Sequence, residues 1–505
     1  MNRTETEPVA TLHAEYPFDG RSVEGPVREH MHYPERVLQF GTGAFLRGFA
    51  EFFLDEANRS SDFAGRAVVV GSTGSGRSNA LAEQDGLFTL CTRGLSGGER
   101  EDSCRVIASI SRALSAADAW DEVLAVAASP NLELVLSNTT EVGIRLDTTD
   151  RADMAPPASF PGKLTAVLAR RAEVFDHDPE RGLVILPCEL IEDNGTRLRE
   201  IVLELARRWA LPARTIEWIA SANRFCNTLV DRIVTGFPDE KTYAELVDRL
   251  GYIDPMLTVA EPFRLWVIEG DEALARRIAY LAARPGVTVT GDISDYRERT
   301  VRLLNGAHTL VVPVSLLCGN GTVLETMSDD LTQAYVRQVM LQEIVPSLSS
   351  DRAAAESFAG EVLDRYANPY IRHELTSIAL QHTSKLQTRV FPSLRRYVER
   401  FGHCPTRLTY GFAATIALKY EWLIGDPKGR IEDDSDEHWR RLLGHLTSLA
   451  AAAESVSQDT TLWEKPPGEL PGFTAAVAEH LKRIEQRGPR EALRAACSES
   501  TSEEV

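Results

Sequence analysis

The chain is 505 residues long, 43% hydrophobic and 26% charged, with a formal charge of −19. That length exceeds one ordinary core and predicts two or three domains. So acidic a balance excludes non-specific nucleic-acid binding, and no apolar run reaches the ~20 residues of a membrane span, so neither nucleic acid nor membrane is expected as a partner.

Residues 1–33 show no clear period and read as an N-terminal arm. They lack the basic start and apolar stretch of a secretory signal, which leaves the cytoplasm as the default location. An apolar run at 37–40 reads as a buried strand, followed by a Gly41-Thr42-Gly43 turn and by Phe45, Leu46, Phe49, Phe52, Phe53 and Ala57 at helical spacing. Further buried strands are expected at 67–70, 132–136 and 183–186, with helices at 117–127 and 163–174 between them. Strands alternating with helices predict an α/β unit with a doubly wound parallel sheet, placed here at 34–290. Beyond that the pattern changes to helices at 331–343, 353–366, 375–387, 408–423 and 439–453, so 291–497 reads as a mostly α-helical C-terminal domain. Residues 426–437 read as an exposed acidic loop and 498–505 as a frayed tail. The seven cysteines form no Cys-x-x-Cys pair and read as free, mostly buried thiols, with no metal site.

Two stretches carry chemistry. In Gly41-Thr42-Gly43 the first glycine permits a tight turn and the second lets a pyrophosphate approach the backbone. The third glycine of the usual fingerprint is absent, with Leu46 in its place. The tip of the second strand carries Ser72 and Thr73, with Arg77 close by, and no carboxylate; NAD and NADP both remain open. Arg47 either faces a cofactor phosphate or is solvated on the helix surface.

In the second stretch, Asn305 and His308 stand three residues apart, on one face if the segment is helical. The amide can donate to a developing alkoxide, and an ordinary imidazole, with its pKa of ~6.5, can move a proton near neutral pH. Asp231 sits among apolar neighbours and needs a partner, either Arg232 or a catalytic group that it orients. Glu189 ends a predicted strand, where it either binds a substrate hydroxyl or is an exposed turn residue. Lys385 and Arg372 either bind a substrate carboxylate or pair with surface carboxylates.

Across about 35–375 the chain resembles the long-chain mannitol dehydrogenase family. The resemblance rests on a collinear set: Gln39-Phe40-Gly41 through Phe45-Leu46-Arg47, Glu83-Gln84-Asp85-Gly86-Leu87-Phe88-Thr89, Ser137-Asn138-Thr139-Thr140-Glu141, Phe160-Pro161-Gly162-Lys163, Pro187-Cys188-Glu189-Leu190, Leu229-Val230-Asp231-Arg232, Leu304-Asn305-Gly306-Ala307-His308-Thr309 and Asn368-Pro369-Tyr370. Cys188-Glu189-Leu190 and Asn305-Gly306-Ala307-His308 are similar to its uronate-reducing branch, whereas mannitol-type members carry a different sequence at 381–385.

The resemblance implies a Rossmann domain, a helical substrate domain with the site between them, and reversible reduction of a ketohexuronate by NADH without a metal. A small-molecule sugar acid is then the partner; the oligomeric state stays open. Cofactor contacts are implied for Gln39, Phe40, Gly41, Thr42, Gly43, Ala44, Phe45, Arg47 and Thr139, substrate contacts for Glu189, Lys385 and Arg372, and catalysis for Asn305, His308, Asp231 and position 300. The family has a lysine acid/base five residues before the asparagine; this chain has Thr300. A threonine hydroxyl is too weak to replace an amine unaided, and the flanking Arg299 and Arg302 are poor proton shuttles. The expectations are therefore another proton carrier (His308, Lys163 or a water held by Thr300), a slow relative, or a different reaction on the same scaffold.

Overall fold

The computed structural model describes residues 9–18, 22–60, 62–71, 76–139, 143–424, 432–446 and 448–499. The chain divides into two compact units, one comprising residues 1–93 and 100–293, the other 94–99 and 294–505.

The first unit contains thirteen described strands: β1 (Glu35–Phe40), β2 (Arg66–Gly71), β3 (Phe88–Ser96), β4 (Glu99–Ile107), β5 (Ile110–Ser115), β6 (Leu134–Ser137), β7 (Val184–Pro187), β8 (Arg224–Phe225), β9 (Thr228–Asp231), β10 (Val234–Gly236), β11 (Thr258–Ala260), β12 (Leu265–Glu269) and β13 (Val287–Thr290). The tip of the β3–β4 hairpin belongs to the second unit. Six strands form one sheet in the order β5-β2-β1-β6-β7-β8, with every pairing parallel. This is the strand order of the doubly wound dinucleotide fold.

The middles of its central strands β1, β2, β6 and β7 are mostly apolar and buried because both faces are covered. Val37, Val69, Leu134 and Leu186 belong to one core cluster, with Phe49, Phe53 and Trp266. Their neighbours Leu38, Val68, Val135 and Ile185 belong to another, with Phe160, Leu164, Leu198 and Val202. The two-residue period of a strand assigns side chains to faces in this way. The strand order reverses between β1 and β6, so a crevice opens beyond their carboxyl ends at Gly41 and Asn138.

Two small sheets, β10-β11-β3-β4 and β13-β12-β9, complete this unit and were not foreseen in the sequence. The described part of the N-terminal arm is packed: Leu12 and Tyr16 are buried with Leu87, Val106, Leu250 and Tyr252. One expectation is corrected here. Cys91 and Cys104 are joined as a disulfide, because adjacent strands β3 and β4 bring their Cα atoms to 4.1 Å. Cys188 and Cys226 are free and buried, as expected; Cys318, Cys404 and Cys497 are free and partly exposed.

Among its described residues outside the hairpin tip, the second unit is built from helices. Its first helix, Ser294–Leu317, is long and apolar enough by composition to cross a bilayer, but 61% of its apolar window is buried inside the protein, as in a core helix. It is α-helical at Ser294–Arg299, π-helical at Thr300–Gly306 and α-helical again at Ala307–Leu317. The single helix expected at 375–387 is interrupted. Gln381 adopts φ +53°, separating Leu375–Ile378 from His382–Lys385, and a second π segment follows at Leu386–Val390. Gln381 is held in that conformation by its N–H on the Glu432 carbonyl and its amide on Asp434. The acidic loop expected at 426–437 lies partly outside the described residues, but Asp433 and Asp436 within it are buried against Lys419.

Candidate active site

In the first unit the glycine turn sits at the end of β1. Gly41 has φ +121°, and a Cβ there would come within 2.8 Å of the Asn138 carbonyl oxygen, so conformation and space both demand glycine. Gly43 is different. Its φ of −66° suits any residue, and a Cβ would meet nothing within 4 Å. No described residue asks for glycine at 43, and the open space before its backbone is what an approaching pyrophosphate needs.

The residues around the turn support it from within. Gln39 is fully buried and donates to the Gly41 carbonyl at 3.1 Å. Phe40 packs its ring 5.2 Å from that of Phe160. Thr42 and Ala44 flank Gly43, and the Phe45 ring stacks on Phe49 at 5.0 Å. Arg47 is buried; its guanidinium donates to the Thr42 carbonyl at 2.6 Å and to Thr258 Oγ1 at 3.2 Å. It ties the turn down instead of facing outward or lying solvated. The missing third glycine has a substitute in Gly48, where a Cβ would lie 2.8 Å from Val234 Cγ1. Arg232 is buried and braces the same segment through the carbonyls of Gly48 (2.6 Å) and Glu261 (2.9 Å). Asp231 stands beside it at the end of β9.

Across the crevice, Glu189 is buried and not an exposed turn residue. Its carboxylate accepts hydrogen bonds from Ser137 Oγ, the Thr139 N–H and Thr139 Oγ1, each at 3.0 Å. Burial pushes its pKa up in spite of these bonds. Glu189 therefore fixes the chain at Thr139. Lys163 is buried too and donates to the Ala158 carbonyl at 2.7 Å, a structural role. Ser72 and Thr73, the positions that bear on cofactor choice, lie outside the described residues.

The second unit holds the amide–imidazole pair. Asn305 lies in the π segment and His308 in the α-helix that continues it. The His308 ring stacks on Tyr366 with centroids 3.9 Å apart and planes within 4°, and His373 meets it edge-on at 5.3 Å. Tyr366 is itself fixed by its hydroxyl on the Leu304 carbonyl at 2.7 Å. Three buried polar atoms on this helix have no partner among the described residues: Thr300 Oγ1, His308 Nε2 and Ser315 Oγ. Buried polar atoms are normally bonded, so each marks a place that a ligand or water can complete, and Thr300 and His308 stand on either side of Asn305 in sequence. The i→i+5 bonding of the π segment stacks position 305 over position 300, which brings Thr300 toward the Asn305 face.

The surroundings are basic. Lys385 is half-buried and donates to the Ile378 carbonyl at 2.8 Å. Arg389, not singled out in the sequence, is also half-buried, on the π segment Leu386–Val390. Among the described residues neither has a carboxylate within 4.0 Å. This π segment lies against the one carrying Asn305. Arg302 donates to the Thr388 carbonyl at 2.6 Å, and a Cβ on Gly306 would lie 2.9 Å from the Arg389 carbonyl oxygen. The sequence signal for Arg389 was available as a basic residue one helical turn after Lys385. Arg372, by contrast, is an exposed residue paired with Glu374 at 2.6 Å, the surface alternative left open in the sequence.

His308 is not an ordinary imidazole. Burial, followed by the charges of His373, Arg365 and Arg389, holds its pKa well below 6.5. It is therefore neutral near neutral pH and serves as a hydrogen-bonding group, not as a stored proton. Because the folded pKa is depressed, the unfolded chain takes up the proton first, and this group costs stability as pH falls below about 6.5. Imidazole NMR of the protein labelled in histidine should show His308 neutral between pH 6 and 7; a titration centred near 6.5 would contradict this assignment.

The models for the mannitol dehydrogenase Rossmann domain and the mannitol dehydrogenase C-terminal domain match residues 35–280 and 292–485. Altronate oxidoreductase of Cronobacter sakazakii is 41% identical over 475 residues, covering 92% of this chain and 97% of that one. Altronate oxidoreductase of Bacillus subtilis is 39% identical over 470 residues, covering 93% and 96%. Among solved structures, a D-sorbitol dehydrogenase in substrate-free form matches with a TM-score of 0.78 at 21% identity, covering 96% of this chain and 100% of the other. Pseudomonas fluorescens mannitol 2-dehydrogenase, in a ternary complex with NAD and D-mannitol, matches with a TM-score of 0.65 at 24% identity, covering 95% and 97%. Those structures bear on the fold, while both domain models and the sequence relatives bear on descent: the chain belongs to the mannitol dehydrogenase family of oxidoreductases.

Proposed function

We propose that this chain reduces a keto-hexuronate reversibly with NADH, converting tagaturonate to altronate. The observation that carries the reading is the face of the Ser294–Leu317 helix, where the unbonded His308 Nε2 feels the charge of Arg389, a cation with no carboxylate within 4.0 Å among the described residues, and Asn305 lies one turn away. A molecule with a ketone at one position and a carboxylate at another complements both. The altronate oxidoreductases, about 40% identical over both domains, support the same substrate class. The glycine turn at the switch point of the sheet supports a dinucleotide.

The glycine turn at Gly41 and Gly43 would hold NADH, which when bound would supply the hydride for the carbonyl carbon. The chain's own task is to hold the carbonyl oxygen as negative charge gathers on it. The Asn305 amide and the neutral His308 imidazole do this as donors. The oxygen then needs a proton, and position 300 offers a hydroxyl where the family has an amine. The buried Thr300 Oγ1, without a partner among the described residues, is placed to hold a water that would relay this proton in from solvent. Lys385 and Arg389 take the substrate carboxylate. A catalytically slow relative is the second reading, favoured by Thr300.

Three experiments follow from these assignments. Gly43→Val should leave the fold intact, since the added side chain starts in open space, yet abolish NADH binding in a fluorescence titration; unchanged affinity would move the cofactor elsewhere. Asn305→Ala should lower kcat by ~10²-fold or more, whereas Thr300→Lys should raise it by restoring an amine. Normal turnover in the first, or slower turnover in the second, would reassign the group concerned. Arg389→Met and Lys385→Met should each raise KM for tagaturonate by about 10- to 100-fold, the worth of a hydrogen bond to a charge, with little change for fructose; equal effects on both substrates would make these cations structural.

A further inference from the structure

A cavity of about 520 Å³ lies in the first unit at the edge of the sheet opposite the glycine turn. It forms where β1, β6 and β7 begin, at Arg36, Glu133 and Val184. From Arg36 to Gly41 along β1 is ~17 Å, so an occupant would not touch the pyrophosphate turn.

Four arginines line it: Arg36, Arg171, Arg181 and Arg277. Arg36 is neutralised by a two-point pair with Glu133, at 2.7 and 2.8 Å. Arg171 and Arg277 are not, and Arg181 has only a long pair with Asp178. Arg171 is 1% exposed, and its donors go to four main-chain carbonyls, those of Ala127, Ser129, Leu132 and Arg181. No carboxylate lies within 4.0 Å of Arg171 or Arg277 among the described residues, and the nearest to Arg181 is Asp178 at 3.8 Å. Arg277 is exposed, with one contact, to the Gly182 carbonyl. Tyr280 adds a hydroxyl with no hydrogen-bond partner among the described residues. The acidic lining is Glu133, already engaged, and the exposed Glu180.

A buried guanidinium bonded only to carbonyls keeps its full charge, and burying such a charge without a counter-ion is costly. Here the nearest charged neighbours, Arg181 and Arg277, add repulsion, and together with burial they lower the Arg171 pKa to about 10. In a chain with a net charge of −19, uncompensated cations gathered at one cavity are not a consequence of composition.

We propose that this cavity binds a small oxyanion, a phosphate- or carboxylate-bearing metabolite, whose oxygens are received by Arg181, Arg277 and Tyr280 above the buried Arg171. The site is separate from the reaction proposed above and does not depend on it. Arginine offers paired donors that match either anion, so the two sources are distinguished by the probes.

Full-length protein is titrated calorimetrically with inorganic phosphate and, separately, with citrate, in buffers matched in ionic strength with sodium chloride. Saturable binding of at least one is expected, weakened at least tenfold in the double variant Arg181→Gln/Arg277→Gln. Tyr280→Phe, which removes only a hydroxyl, should weaken it by a smaller factor. Binding should persist in Gly43→Val, and NADH affinity should be unchanged in the arginine and tyrosine variants, which separates this site from the cofactor turn. Response to phosphate alone would assign a phosphorylated ligand, and to citrate alone a carboxylate. No saturable binding of either anion, or undiminished binding in both the double variant and Tyr280→Phe, overturns the proposal.

Discussion

The face that carries Thr300, Asn305 and His308 depends on one change of helical register. Between Thr300 and Gly306 the helix Ser294–Leu317 passes into π geometry, then returns to α-helix at Ala307. In an α-helix, residues five apart do not share a face; in the π segment the i→i+5 bond stacks them. That register, followed by the ordinary three-residue step to 308, brings Thr300, Asn305 and His308 toward one side. A π turn is rare and needs support from its surroundings. Support comes at Gly306, whose missing Cβ lets the Arg389 carbonyl approach, and at Arg302, which donates to the Thr388 carbonyl. The same contact brings the segment bearing Lys385 and Arg389 alongside.

Electrostatics and packing act together on this face. Tyr366 lies flat on His308 and is anchored by its hydroxyl on Leu304, so the imidazole has one orientation and little access to water. Burial and the neighbouring cations keep the ring neutral. Burial is the larger cause, and the charges of His373, Arg365 and Arg389 act in the same direction. Behind Lys385, the buried Lys419 is neutralised by Asp433 and Asp436, and Asp433 also accepts the N–H and hydroxyl of Thr383. The short helix that ends at Lys385 is thereby pinned to the core.

Much of this was legible in the sequence because it follows from local pattern. Apolar runs at 37–40, 67–70, 132–136 and 183–186 became β1, β2, β6 and β7, and the spacing of Asn305 and His308 did place them on one helix. What was not legible depends on tertiary contact. The π register is invisible to periodicity, so the relation of Thr300 to Asn305 could be taken only from the family. The depressed pKa of His308 comes from burial under Tyr366 and from Arg389, far along the chain. Glu189 and Arg47 stand where ligand contacts are expected, yet both turn inward to brace the crevice. Cys91 and Cys104 pair because two strands are neighbours, and Arg372 meets Glu374 at the surface.

The most direct test of the central claim is the initial rate of NADH oxidation by the purified protein with tagaturonate, fructuronate and fructose in parallel, at equal concentration and neutral pH. Turnover of tagaturonate well above fructuronate, with fructose slower than both, is the predicted result. NADH binding without turnover of any of the three, or faster turnover of the uncharged fructose than of either uronate, would contradict the account.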